Sequence, residues 1–97
     1  MTVKIMIKRK VPDEKRVRFL ALINKLRSEA INQSGYITGE ALQSLDNPEE
    51  YLVISTWSGD DEWNAWKANP LRVAIQDEID KYLGNKTYYE SYRYLAD

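Results

Sequence analysis

The side chains left to carry chemistry in these 97 residues are aromatic, cationic and carboxylic, because histidine and cysteine are both absent. Without cysteine there is no disulfide, no thiol nucleophile and no iron–sulfur ligand. Without histidine the commonest general base and metal ligand is missing. Serine–histidine triads, zinc-hydrolase sites and histidine-ligated haem are therefore excluded. Three Trp and seven Tyr remain. Trp63 and Trp66 are spaced i, i+3, and Trp57 precedes them. No residue set has the spacing of a metal or nucleophile motif, so no metal is expected and no catalytic residue can be named from spacing alone.

The charged residues nearly cancel, with a net charge of −1, but they are unevenly placed. Residues 1–27 hold nine of the fourteen Lys/Arg, with only Asp13 and Glu14 as acids. The rest of the chain is acidic. One reading is a basic surface for nucleic acid or another anion. The other is a solvated helix face plus like-signed strand ends, open to docking by an acidic partner surface. The basic residues scatter over two elements in no block of five or six, which favours the second reading.

The elements that must position these residues follow from periodicity. A chain of this length is one domain, residues 1–97. Val3, Ile5 and Ile7 alternate with Lys4, Met6 and Lys8, a strand pattern. Val11-Pro12-Asp13-Glu14 signals a helix entry, and Phe19, Leu22, Ile23, Leu26 and Ala30 form one stripe of a helix of about five turns. Asn32-Gln33-Ser34-Gly35 breaks it. A second strand is expected over Tyr36–Leu45, with Ile37, Gly39, Ala41, Gln43 and Leu45 on one face. A turn at 46–49 leads into a third strand over Tyr51–Trp57, apolar on both faces. Ser58 to Glu62 offer an N-cap and acids for a short helix carrying Trp63 and Trp66. Asn69 and Pro70 cap and start the next helix, with Leu71, Ala74, Ile75, Ile79 and Tyr82 in helical spacing and Gly84 as its stop. A last strand is expected over Thr87–Leu95, with Tyr88, Glu90, Tyr92 and Tyr94 on one side.

The order β-α-β-β-α-β predicts an α+β, ferredoxin-like four-stranded antiparallel sheet, strand order 4-1-3-2, with helices on one face. The other face carries Met6, Leu52 and Ile54 and is expected to be covered by a second copy, giving a homodimer through the open sheet face. Tyrosines of the last strand belong to that interface. No apolar run approaches the length of a membrane span, and Met1-Thr2-Val3-Lys4 has no signal-peptide pattern. The expectation is a cytoplasmic protein without a membrane partner. The fold is shared with RNA-recognition domains, but the third strand has no Lys/Arg-Gly start and no paired aromatics, so no nucleic-acid partner is expected.

The run Tyr51-Leu52-Val53-Ile54-Ser55-Thr56-Trp57, the acidic loop and Trp63–Trp66 pair that follow, and Asn69-Pro70-Leu71-Arg72 resemble the antibiotic biosynthesis monooxygenase (ABM) family. Gly35-Tyr36 after a long amphipathic helix also fits, and the likeness covers nearly the whole chain. The resemblance implies a dimeric α+β barrel with a small hydrophobic pocket in each protomer. The family the chain resembles includes oxygenases that oxidise phenolic compounds without metal or flavin, haem-degrading enzymes, and many members of unknown activity. The haem branch keeps a His where this chain has Gln76 and an Asn on the first strand, where Val3 to Arg9 has none. Gln is a poor axial ligand, so that branch is not expected.

The cofactor-free branch requires an aromatic pocket and a group to hold an ionised oxygen. Trp66 matches the family's pocket position. Trp63, Tyr36 and Trp57 are candidates by placement. Arg72 or Asn69 can hold an anionic oxygen, and Tyr92 can donate a hydrogen bond. Arg72, in the first turn of a helix near Asp77 and Glu78, also reads as a surface charge. The expected function is a cofactor-independent monooxygenase of a small aromatic or phenolic compound. The alternative is a non-catalytic ligand-binding or interaction domain of the same fold.

Overall fold

In the computed structural model, which describes residues 1–96, the chain opens with β1 (Val3–Lys10). Val3, Ile5, Ile7 and Arg9 are buried on one face, while Lys8 and Lys10 are exposed. The alternation expected from Val3 to Lys8 thus continues to Arg9, which sends a guanidinium into the core. Pro12 leads into one 3-10 turn (Asp13–Lys15), after which α1 (Arg16–Ala30) begins. The long first helix therefore starts with a tighter turn than periodicity implied. Its stripe holds: Phe19, Leu22, Ile23 and Ala30 are buried, and Leu26 packs against the core.

Gly35 has φ 84°, a left-handed value that other residues rarely adopt, and a Cβ there would strike the side chains of Glu62 and Ser58. The strand that follows, β2 (Tyr36–Gln43), ends before Leu45, which is fully exposed in the turn. A bulge between Tyr36 and Thr38 also corrects its expected face. Tyr36 lies opposite Trp57, and Gly39, Ala41 and Gln43 lie opposite Ser55, Val53 and Tyr51. Ile37 falls in the bulge and is turned out to solvent.

After β3 (Glu50–Trp57) come α2 (Asp60–Lys67) and α3 (Pro70–Leu83). Gly59, not Ser58, is the N-cap of α2, and no side chain caps it. Asn69 Oδ1 does accept from the Leu71 backbone N–H at 2.9 Å, and Pro70 starts α3 where its missing N–H costs nothing. Gly84, at φ 75°, ends α3. The last strand, β4 (Glu90–Arg93), is half the expected length, and Thr87 to Tyr89 stand outside it. The sheet is antiparallel with order β2-β3-β1-β4, which is the expected 4-1-3-2 read from the other edge.

The core has two centres. One gathers Val3, Ile5, Ile7, Ala30, Trp63 and Trp66 around Trp57. The other gathers Phe19, Leu22, Ile23, Tyr51, Ile75 and Ile79. Leu26 and Val53 pack against both. Facing away from the helices, Met6, Leu52 and Ile54 are half-buried and Leu42 is exposed.

Candidate functional site

A cavity of about 80 Å³ lies where the two core centres meet, beneath α1 and against β2 and β3. Ile7, Ile23, Leu26 and Val53 line it from the core, and Tyr36, Trp57, Trp63 and Trp66 supply aromatic walls. Asn24, Arg27 and Glu40, all exposed, mark its mouth between α1 and β2. The three tryptophans are nearly inaccessible. Trp57 touches Trp63 and Trp66 with ring centroids 5.9 and 6.4 Å apart, and its Nε1 donates to Ser55 Oγ at 3.1 Å. Burying an indole requires such a partner for its N–H.

Tyr36 is held differently. Its ring leans on Trp57 at 5.5 Å, and its hydroxyl, which makes no hydrogen bond among the described residues, occupies the space beside Gly39. A Cβ at position 39 would stand 2.6 Å from that hydroxyl. Glycine at 39 is therefore what lets the Tyr36 ring lie along the wall.

Arg72 lines the cavity at only 4% exposure, which corrects the surface-charge expectation. Glu78, expected near it, pairs instead with Arg18 at 2.7 Å. The Arg72 guanidinium sits over two rings, Trp63 at 5.3 Å and Tyr89 at 4.9 Å. It donates to the Lys67 carbonyl at 3.3 Å and to the Tyr89 hydroxyl. A planar delocalised cation suits such a stacked seat better than an ammonium would. No ion pair reaches it among the described residues.

A second cation stands behind it. Arg9 is 7% exposed, donates from Nη2 to Gln76 Oε1 at 3.1 Å, and leaves Nε and Nη1 without a partner. Burial pulls its pKa down to about 10; Tyr89 and Asp80 oppose that shift and Arg72 adds to it. Gln76 Nε2 in turn donates to Asp80 Oδ1 at 3.0 Å and to Thr87 Oγ1. Gln76 thus serves Arg9 and Asp80 and does not line the cavity.

Of the residues singled out in the sequence, Trp66, Trp63, Tyr36, Trp57 and Arg72 meet at one cavity. Asn69 does not line it, and its side-chain oxygen is engaged as the α3 cap. Tyr92 points to the open face, donates to Glu90 at 2.8 Å, and lines a separate open hollow with Met1, Asp60 and Arg93. Sequence reasoning missed Arg9 and Tyr89. Each had a signal in strand parity: Arg9 continues Val3, Ile5 and Ile7, and Tyr89 shares parity with Ser91, which lies opposite the core residue Ile5.

The sequence model described as antibiotic biosynthesis monooxygenase matches residues 2–78. No curated protein sequence is similar enough to match. Solved structures share the fold over nearly the whole chain. A conserved protein from Methanosarcina mazei Go1 superposes with a TM-score of 0.87 at 22% identity, covering 96% of this chain and 92% of that one. A variant of SnoaB, a cofactor-independent oxygenase from Streptomyces nogalater, gives 0.86 at 14% identity, covering 99% and 95%. At these identities the structural likeness establishes the fold.

Proposed function

The chain belongs to the antibiotic biosynthesis monooxygenase family, and on that premise we propose that it is a cofactor-independent monooxygenase of a small aromatic or phenolic compound. The observation that carries this reading is the small cavity walled by Tyr36, Trp57, Trp63 and Trp66, with the buried cation Arg72 on its lining. An electron-rich phenol can supply all four electrons that dioxygen needs. One oxygen atom enters the ring as a quinone carbonyl and the other leaves as water, so the reaction balances without an added reductant. The protein's part is to hold the ring flat, exclude water and stabilise negative charge on the phenolic oxygen as the ring gives up electrons. The tryptophans and Tyr36 do the first two, and Arg72 the third.

Oxygen uptake with a panel of dihydroxy-aromatics, run beside anaerobic controls, tests the reading. Quinone formation with stoichiometric oxygen loss supports it. A compound that binds with no oxygen uptake favours a second reading, a non-catalytic binder of the same ligands. The observation in favour of that alternative is that the one acid among the lining residues, Glu40, is exposed and lies opposite Ile54, a residue of the sheet face turned away from the helices, leaving no base inside.

The working unit in this proposal is a homodimer through the open sheet face, where Met6, Leu52, Ile54 and Leu42 form an apolar patch beside the Lys8–Glu50 pair. Sedimentation at micromolar concentration checks it, and a stable monomer overturns it. Among the described residues no helix is long and apolar enough to cross a membrane. The cytoplasm is the proposed compartment.

A further inference from the structure

The core holds two arginines that nothing neutralises directly. Arg72 and Arg9 are 4% and 7% exposed, and neither makes an ion pair among the described residues. Buried guanidinium groups are ordinarily matched by a carboxylate, because an unpaired charge in a low-dielectric interior is costly. Asp80 is the nearby acid, but its Oδ1 already accepts from Gln76 and Thr87. Arg9 keeps two nitrogens with no acceptor. Arg72, with five N–H donors, spends one on a carbonyl and one on a phenol oxygen. Both spent contacts are with neutral partners. The interior around Tyr89 therefore holds two cations against one nearby acid, Asp80, which forms an ion pair with neither, and one of the two cations lines the aromatic cavity.

The cavity offers no base to create an anion from a neutral ligand. It is lined by apolar and aromatic side chains with Ser55 and Arg72, and the exposed residues Asn24, Arg27 and Glu40 stand at its edge, so that Arg27 is a second, solvated cation on the approach. Size adds a limit. At about 80 Å³ the closed cavity is roughly half the volume that admits a benzene ring in an engineered apolar core. A flat ligand can place its charged head and part of one ring inside, with the remainder in the groove between α1 and β2.

We propose that the ligand of this cavity is a planar, single-ring aromatic oxyanion that arrives already ionised, with its charged oxygen on Arg72 and Arg9 strengthening the field behind it. The inference rests on the oxygenase reading only for the location of the site. A carboxylate and the ionised form of an acidic phenol share the required chemistry.

The test is titration of the intact protein with benzoate, benzamide, acetate and an acidic nitrophenol, followed by tryptophan emission. Benzoate is expected to bind roughly ten- to a hundredfold more tightly than benzamide, its neutral analogue, and more tightly than acetate, which has charge without a ring. Nitrophenol separates the two oxyanion sources: its colour shifts to the ionised form on binding if the site takes phenolates as well as carboxylates, and stays unchanged if it takes carboxylates alone. Arg72→Met is expected to erase the preference for benzoate over benzamide. Arg72→Lys, which keeps the charge, should retain part of the preference and guards against a misfolded first variant. Arg9→Met should weaken benzoate several-fold without affecting benzamide. Equal binding of benzoate and benzamide, or a preference that survives Arg72→Met, overturns the proposal. Binding of benzoate without oxygen consumption from any hydroxylated relative sinks the oxygenase reading and leaves this one standing. Rapid oxidation of neutral phenols alone does the reverse.

Discussion

Arg9 is an expensive residue to keep. A pKa drawn well below the ordinary arginine value, to about 10, by burial corresponds to about 3 kcal/mol of unfavourable free energy in the folded state. The sign follows from proton counting. Below about pH 10 both folded and unfolded chains carry the proton, so the full cost persists and does not vary with pH. Between there and the unfolded value the unfolded chain binds more protons, so this group's contribution to stability rises with pH. Arg9→Met removes the charge and strands one Gln76 oxygen, a loss of about 1 kcal/mol. The variant also loses the guanidinium contact over the Phe19 ring at 5.8 Å, so the ligand-free variant is expected to be at least as stable as the parent in urea denaturation; a loss of stability would show that the guanidinium is structural. Gly39→Ala is a finer probe. Its Cβ would stand 2.6 Å from the Tyr36 hydroxyl and at ordinary contact distance from the Ile54 carbonyl, so the ring must shift; stability should fall by about 1 kcal/mol while ligand affinity changes through the displaced ring. An unchanged affinity would mean that Tyr36 does not shape the site. Trp66 and Arg72 were legible as candidates because the family pattern covers them. The seat of Arg72 was not, because Tyr89, which flanks it, is distant in sequence.

At the scale of elements, patterning served where one face is buried. The β1 alternation and the α1 stripe appear as expected, since misplacing either would expose a whole apolar face. The boundaries that moved did so for local reasons. The bulge after Tyr36 shifted the β2 face by inserting one residue that no alternation rule foresees. The last strand shortened because β4 pairs with β1 only from Val3 to Met6, leaving Tyr89 to turn into the core. The cap at Asn69 is a clean element-scale prediction. Asn69→Ala should cost about 1 kcal/mol by thermal unfolding and leave ligand binding unaltered. A binding defect at unchanged stability would return Asn69 to the site.

For the whole molecule, strand order and helix placement followed from element order, whereas the cavity did not. It lies at the seam of two core centres, assembled from β1, α1, β2, β3, α2 and α3, and no stretch of sequence contains it. The missing histidine also has a global consequence. No side chain of the types present ordinarily titrates between pH 6 and 8, so unfolding free energy should vary by less than about 1 kcal/mol over that range. A steep change measured by denaturant titration would reveal a carboxylate or lysine strongly perturbed by association or ligand.

Trp57 and Trp66 lie 6.4 Å apart with their planes 27° from parallel, inside a rigid core. Indole transition dipoles held that close exchange excitation, so the pair should give a split circular-dichroism couplet in the ultraviolet. Trp63, 5.9 Å from Trp57 with its plane tilted by 52°, couples to the same indole, so the signal reports the three-indole cluster. The couplet belongs to the wall of the cavity alone. It therefore acts as an optical seal on the site: a ligand that merely occupies the groove leaves it in place, and one that shifts Trp57 against its two neighbours changes its amplitude.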